Sequence, residues 1–292
     1  MLLIVFLAIA GVFCHEMAVT REYTDYLKRH VDWEVVDYEE NIFRGWTIDE
    51  IKALLTQEPP QYDEELPLAE ADHALPSQLI WGANCIHEVR DQGSCGSHWA
   101  FAIADMVADR CCIHTDKDQG LLSPQELVSC ERSSRACQGG YPDRALDFVI
   151  KNKGLVQEAC FPYQAKDLAC PTKCSDGKTT FDKARVCKCT ARKTCVGVDV
   201  MKTCLKDGPI SVGFYVPRSF LGYSSGIYKC DGPSLGVHNV VAIGYSDSPE
   251  CHWIIRNSWG TSWGMKGYVQ MACQTCGVDK SYSYANVACD KF

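Results

Sequence analysis

The chain has 292 residues, of which 46% are hydrophobic, and it carries a formal net charge of −8. This length and composition are sufficient for a buried core, formed by one catalytic-sized unit or by two packed halves. Because an acidic protein repels phosphate groups, we expect neither nucleic acid nor an anionic membrane surface as a main partner.

The chain begins with the apolar run MLLIVFLAIAGVFCHE. This run is too short to span a bilayer and is typical of a secretory signal, although the usual basic residues before it are missing. We therefore predict a signal peptide over residues 1–14, with an uncleaved anchor as the alternative. No later stretch is apolar enough for stable membrane insertion.

Cysteine is unusually frequent, with 19 residues in the whole chain. Loss of Cys14 with the signal peptide would leave an even number in a protein that enters an oxidising compartment, which favours disulfides. The Cys187/Cys189 and Cys273/Cys276 pairs are also compatible with zinc binding. They lack the paired C-x-x-C or histidine spacing of structural zinc modules, so no metal and no other cofactor is predicted.

Residues 15–70 are predicted to form a charged pro-segment and a linker. The pro-segment is expected to be helical over roughly residues 19–56, with Thr47 as an N-cap and Glu50 at the third helical position. The next stretch, QEPPQYDEELPLAEADHALPSQ, is acidic and rich in proline, which indicates an exposed linker. It is either a processing site or an ordinary surface loop.

The composition changes from about residue 71, where glycine, cysteine and tryptophan become frequent. WAFAIADMVADRCCI (99–113) predicts a buried helix with one polar edge at Asp105 and Asp109. The later stretches PISVGFYV, HNVVAIGY, HWIIRNSWG and GYVQMAC are short, rich in β-branched residues and separated by turn residues, which predicts strands. Residues 71–292 should therefore form an α+β domain with two lobes.

Several motifs occur together in a characteristic order: VRDQGSCGSHWAF, DRCCIH, CQGGYPDRALDFV, GLVQEACFPY, DGPISVGFYVPRSFLGYSSGIY and WIIRNSWGTSWGMKGY. This set resembles the papain-family cysteine peptidases, and specifically their cathepsin B-like branch. The resemblance covers the pro-segment and nearly all of residues 75–292. It implies a papain-like fold, with a helical lobe and a barrel-like β lobe on either side of a cleft.

The resemblance also implies catalytic roles. Gln92 would donate from its side chain to an oxyanion, together with the backbone N–H of residue 98. Residue 98 would be the nucleophile, His238 the base and general acid, and Asn257 the group that orients the His238 ring. Taken singly, Gln92 is an ordinary loop amide and His238 a core histidine, so it is their joint occurrence that supports these roles.

Substrate contacts are implied as well. Trp259 would shield the His238–Asn257 pair, and Gly139 and Gly140 would offer backbone groups to an extended peptide, although alone they indicate only a turn. Val237 and Asn239, which flank His238, depart from the glycine and the small apolar residue that the resemblance leads us to expect. Both changes are expected to alter the floor of the cleft.

Four disulfides are implied by the resemblance, with Cys111 as an alternative to Cys112 in the first: Cys85–Cys112, Cys95–Cys137, Cys130–Cys170 and Cys160–Cys174. The other ten cysteines that follow the signal peptide have no assigned partner. Only six residues separate Tyr163 from Cys170, which leaves no room for the occluding loop that gives cathepsin B its carboxydipeptidase activity. Any peptidase activity is therefore expected to be that of an endopeptidase.

The main departure from the family is His98, which stands where the nucleophilic cysteine is expected. Loss of a nucleophile costs about 10⁶ in rate, so we expect an inactive homologue that keeps a peptide-binding cleft. The helix N-terminus and a facing histidine should both disfavour a charged His98. The alternatives are a working endopeptidase and a metal site at His98 and His238.

The expected partners are an extended peptide or protein ligand and the chain's own pro-segment, and the protein is expected to be a monomer. The secretory route leads to a lysosome-like or vacuole-like compartment or to the extracellular space. The peptide preference depends on residues near Ser281.

Overall fold

The computed structural model describes residues 15–57, 69–72, 74–82, 84–280 and 284–286. The predicted signal peptide, most of the linker and Ser281 lie outside the described residues. Among the described helices, none combines the length and the apolar character needed to cross a bilayer.

Seven α-helices lie in the described part of the chain, and two short 3₁₀ segments accompany them. The helices are α1 (Arg21–His30), α2 (Ile48–Ala53), α3 (His98–Thr115), α4 (Pro124–Cys130), α5 (Pro142–Lys151), α6 (Phe181–Ala184) and α7 (Val198–Leu205). The 3₁₀ segments are Ala136–Gln138 and Arg218–Gly222.

The N-terminal segment, residues 15–57, contains two short helices rather than the single helical stretch that the sequence suggests. Helix α1 ends before Val31, whose backbone is extended. The capping box predicted for α2 is present, because Thr47 accepts from the Glu50 N–H and the Glu50 carboxylate accepts from the Thr47 N–H. Between the two helices, a two-residue strand pairs with the second half of the molecule and interrupts the helix.

Helix α3 is the central element, and its residues from His98 to Cys112 are all buried. The predicted polar edge is buried too, and the charges of its two aspartates are neutralised by arginines. Asp105 pairs with Arg90, and Asp109 accepts from Arg256 at 2.7 Å. Burial of these charges is tolerable because each has a close partner of opposite sign.

Twelve strands in the described residues form one large sheet and two small pairs. They are β1 (Glu34–Val35), β2 (Gln78–Ile80), β3 (Leu155–Val156), β4 (Arg185–Val186), β5 (Arg192–Thr194), β6 (Ile210–Pro217), β7 (Tyr223–Ser225), β8 (Ile227–Tyr228), β9 (Ser234–Ser246), β10 (His252–Arg256), β11 (Tyr268–Ala272) and β12 (Tyr284–Asn286). All four strand stretches predicted from the sequence fall on β6, β9, β10 and β11.

The large sheet runs in the order β5–β12–β6–β9–β10–β11–β8, with β2 also paired to β9. Its neighbours are antiparallel except for the β11–β8 pair. Within the described residues β5 and β8 are open ends, so the expected barrel-like lobe is an open sheet and not a closed barrel.

Two large hydrophobic cores support the two lobes. One surrounds α3 and contains Trp99, Met106 and Leu146; the other lies on the sheet and contains Phe214, Phe220 and Trp253. The α+β, two-lobe prediction is confirmed in this respect. The sheet strand β9 contributes to both cores and therefore joins the lobes.

Eight disulfides link the described residues. The structure has the four pairs that the resemblance implies: Cys85–Cys112, Cys95–Cys137, Cys130–Cys170 and Cys160–Cys174. Four further pairs join cysteines that the sequence left unassigned: Cys111–Cys187, Cys195–Cys204, Cys230–Cys276 and Cys251–Cys273. Cys111 is thus used in a bond of its own and does not replace Cys112.

Candidate active site

The residues that the sequence singled out come from four parts of the fold and meet between the lobes. Gln92 lies in the loop before α3, and His98 is the first residue of that helix. His238 lies on β9, and Asn257 directly follows β10. All four side chains are buried, with exposed fractions of 3% or less.

His238 and Asn257 form the pair that the sequence predicts. The His238 Nε2 lies 2.7 Å from the Asn257 Oδ1, which also accepts from the Ser258 N–H. An amide oxygen can only accept, so the His238 Nε2 carries the proton and its Nδ1 keeps a lone pair. The Trp259 ring covers the pair, with its centroid 4.8 Å from that of His238.

His98 faces His238 across the cleft, with ring centroids 5.0 Å apart. The His98 Nδ1 accepts from the Asn239 N–H at 3.0 Å. The proton of the neutral ring is therefore on Nε2, which lies 3.1 Å from the Thr56 hydroxyl oxygen and donates to it. Both ring nitrogens of His98 are thus occupied by hydrogen bonds.

Both histidines are held in the uncharged form. Burial lowers the pKa of His98 well below its usual value, and the neighbouring His238 lowers it further. Burial also lowers the pKa of His238 to about 4, although its hydrogen bond to Asn257 opposes the shift. A pair of neutral imidazoles is therefore expected at neutral pH.

The Gln92 amide is oriented by its neighbours. Its Oε1 accepts from the Ser258 hydroxyl at 2.8 Å, so its Nε2 faces the cleft. There the Nε2 donates to the Leu54 carbonyl at 3.2 Å and to the Cys95 carbonyl at 2.9 Å. A carbonyl of the N-terminal segment thus occupies the donor that the sequence assigns to an oxyanion.

Residues 54–57 run through the cleft and are almost completely buried up to Thr56, whose exposed fraction is 5%. Thr56 and Val237 form an antiparallel bridge with two backbone hydrogen bonds, of 2.9 Å and 2.8 Å. The N-terminal segment therefore adds a short strand segment at β9, in the manner of strand addition. This contact was not predicted from the sequence, because no local motif marks Thr56.

Gly139 and Gly140 line the opposite wall of the cleft. Gly139 has a φ of +100°, and a Cβ on it would lie 2.6 Å from the Thr56 hydroxyl oxygen. A Cβ on Gly140 would lie 2.4 Å from the Trp99 ring. The Gly140 N–H donates to the Thr56 hydroxyl at 3.3 Å, so this wall contacts a side chain of the bound segment.

The geometry bears on the alternative of a metal site at His98 and His238. A metal ligand needs a free lone pair, and the single lone pair of the neutral His98 ring already accepts from Asn239. No group of three or more histidine, cysteine, aspartate or glutamate side chains at metal-binding spacing occurs in the described part of the chain. The arrangement therefore favours hydrogen bonding over metal coordination.

Comparisons with known proteins show what the chain resembles. A sequence profile described as "Papain family cysteine protease" matches residues 75–286. "Cathepsin B-like CP3" of Giardia intestinalis is 35% identical over 273 residues, which cover 82% of this chain and 84% of the relative.

Two solved structures resemble the whole arrangement. "proCathepsin B S9 from Trypanosoma congolense" has a TM-score of 0.81 and 25% identity, and the match covers 93% of this chain and 99% of that chain. "Recombinant stem bromelain precursor" has a TM-score of 0.78 and 26% identity, with coverage of 91% and 88%. Both are named as precursor forms.

Proposed function

The chain belongs to the papain family of cysteine proteases, and from this premise we propose that it is a cathepsin B-like member that binds extended peptides without cutting them. His98 stands where the resemblance puts the family's nucleophile, and Gln92, His238 and Asn257 are the residues to which it assigns the other catalytic roles. The function is thus the binding of a peptide or protein segment in a cleft that has lost its hydrolytic step.

The observation that carries this proposal is the hydrogen bonding of His98. Nucleophilic attack needs an available lone pair, and the lone pair on the His98 Nδ1 accepts from the Asn239 N–H. The other nitrogen carries the proton and faces Thr56. An attack by His98 would first have to break one of these buried contacts.

Without a thiol at position 98, the His238–Asn257 pair has no thiolate to stabilise. In a thiol peptidase, a charged imidazole stabilises the thiolate at the helix N-terminus. Here His238 has a pKa of about 4, because it is buried beside another neutral ring. An endopeptidase that works through His98 is the second candidate, and the metal site is the third. The unpartnered His238 Nδ1 is compatible with both, but the hydrogen bond from Asn239 to the His98 Nδ1 opposes both.

The domain limits and the compartment follow from the same proposal. We assign residues 1–14 to a signal peptide, 15–70 to the pro-segment and linker, and 71–292 to the peptidase domain. Eight disulfides in the described residues are typical of a protein made in the secretory pathway. A lysosome-like compartment or the extracellular space is then the destination, with a monomer as the working form.

The test compares the native chain with His98→Cys, each processed by a cut in the linker, on a mixed peptide library at pH 5–7. We expect His98→Cys to hydrolyse peptides at least about 10³-fold faster than the native chain, because only the nucleophile is missing. His98→Ala is the matched control and should stay as slow as the native chain. Native turnover within about tenfold of that of His98→Cys would contradict the proposal.

A binding readout separates the two halves of the proposal. Fluorescence anisotropy of a labelled library peptide should show binding to the processed native chain once its cut N-terminal segment has been removed. If no peptide of the library binds, the claim of an intact cleft fails even where the native chain is inactive.

A further inference from the structure

Within the cleft, every hydrogen-bonding position of the Thr56 hydroxyl group is used. The Thr56 hydroxyl accepts from the His98 Nε2 at 3.1 Å and from the Gly140 N–H at 3.3 Å. It lies 3.4 Å from the Gly140 carbonyl, to which it donates. Its two acceptor positions and its one donor position are therefore all used, in a place shielded from water.

The backbone of the same residue is fixed independently. The Thr56 N–H donates to the Val237 carbonyl, and the Val237 N–H donates to the Thr56 carbonyl. On the other side, Thr56 packs so closely against Gly139 that a Cβ on this glycine would lie 2.6 Å from the Thr56 hydroxyl oxygen. The backbone direction at the position that pairs with Val237 is thus fixed, and its side chain lies directly against the glycine wall.

His98 supplies the hydrogen-bond donor that faces the Thr56 position. With its Nδ1 accepting from Asn239, the neutral ring can present only an N–H to the cleft. A buried N–H without an acceptor is costly, so the ring favours a ligand that brings an oxygen to this point. An aliphatic side chain of the same shape, such as valine, fills the space but leaves the donor unpaired.

We infer that His98 is a specificity-determining binding residue, which selects threonine or serine at the ligand position that pairs with Val237. The pro-segment residue Thr56 is the resident ligand, and an external partner of this site is an extended peptide with a hydroxyl at the same position. This inference rests on the proposed function, since a cleft that binds without cutting is what leaves His98 free for recognition. The residue that removes catalysis thus supplies the recognition.

The test is a double-mutant cycle in the full chain, with Thr56→Val in the native and in the His98→Ala background. The readout is the hydrogen-exchange protection of the Val237 N–H, measured where exchange follows the opening equilibrium. In the native background we expect Thr56→Val to lower protection at least about fivefold, the lower end of the range for a buried donor left without its acceptor. In the His98→Ala background the effect should be at least about threefold smaller, because the His98 donor is gone and only the two contacts with Gly140 are lost.

Thr56→Ser is the matched control, since it keeps the hydroxyl and loses only a methyl group. It should lower protection by no more than about fourfold, the cost of one buried methyl group. The inference is overturned if Thr56→Val has no effect, or if its effect is equal in the two backgrounds, since the hydroxyl would then act through Gly140 alone. This failure is distinct from failure of the proposed function, which is decided by peptide hydrolysis and does not depend on residue 56.

Discussion

His98 belongs to helix α3 and His87 contacts it, but their surroundings give the two histidines opposite protonation behaviour. His98 is the first residue of the helix, and its partners are a backbone N–H and a hydroxyl. His87 lies about three turns further along, between two carboxylates: its Nδ1 is 2.7 Å from Asp109, and its Nε2 is 2.9 Å from Asp118. The carboxylates of Asp109 and Asp118 raise the pKa of His87, whereas burial lowers that of His98.

The comparison shows that burial alone does not determine the charge of a histidine. At His87, two hydrogen-bonded carboxylates outweigh the cost of desolvating a cation. At His98, the facing groups offer no negative charge, and the helix N-terminus adds its own positive end. The side chains of the candidate site are therefore uncharged and are linked by hydrogen bonds. The network around His87, about three turns along α3, is linked by ion pairs.

The largest loss of stability is expected from a change at Asp109, which contacts both His87 and Arg256. Asp109→Asn leaves the Arg256 guanidinium, exposed by only 2%, without its carboxylate. We expect the free energy of unfolding to fall by about 3 kcal/mol, the lower range for breaking a buried ion pair. Urea denaturation with the disulfides intact measures the change.

Asp118→Asn is the matched control, because Asp118 contacts the same histidine but its side chain is 60% exposed. Its effect should stay under about 1 kcal/mol, as for a surface pair. Equal losses of unfolding free energy for the two variants would show that the buried Arg256–Asp109 pair contributes no more stability than the exposed His87–Asp118 contact.

The next effect concerns acid sensitivity at the candidate site. His98 and His238 have pKa values below those of the unfolded chain, so unfolding takes up protons as the pH falls below about 6.5. Stability is therefore fully present above about pH 6.5 and decreases toward about pH 4. His98→Gln removes one of these groups, which should reduce the slope by up to about 1.4 kcal/mol for each pH unit.

His87→Gln is the control with the opposite sign. The pKa of His87 is raised in the folded protein, so its contribution is fully present below about pH 6.5 and is lost as the pH rises through the folded value. The variant should therefore be less stable than the native chain in acid, and the difference should shrink in alkali. If His98→Gln leaves the acid slope unchanged, His98 is not held neutral by the fold.

Much of this arrangement could be predicted from the sequence because local patterns determine it. The apolar run that forms α3 and the capping residues Thr47 and Glu50 are signals within one helix, and the structure has both. The positions of His98, His238 and Asn257 followed from motifs in a known order. The distinctive residue of the site is therefore visible in the sequence alone.

Long-range contacts account for what the sequence missed. The predicted single helix over roughly 19–56 is divided because residues 34–35 pair with β7, and this partner lies about 190 residues away. The Thr56–Val237 bridge is likewise set by how the N-terminal segment crosses the cleft. Local propensity carries no information on such pairs, and tertiary packing overrides it.

The central claim, that His98 is a neutral hydrogen-bond donor to the segment in the cleft, can be tested directly by ¹⁵N NMR of the histidine rings in the full chain between about pH 5 and 8. We predict that His98 keeps its proton on Nε2 and an unprotonated Nδ1 throughout this range, while His87 gains its second proton above about pH 6.5 as the pH is lowered. A proton on the His98 Nδ1, or a charged His98 ring at about pH 6, would contradict this claim.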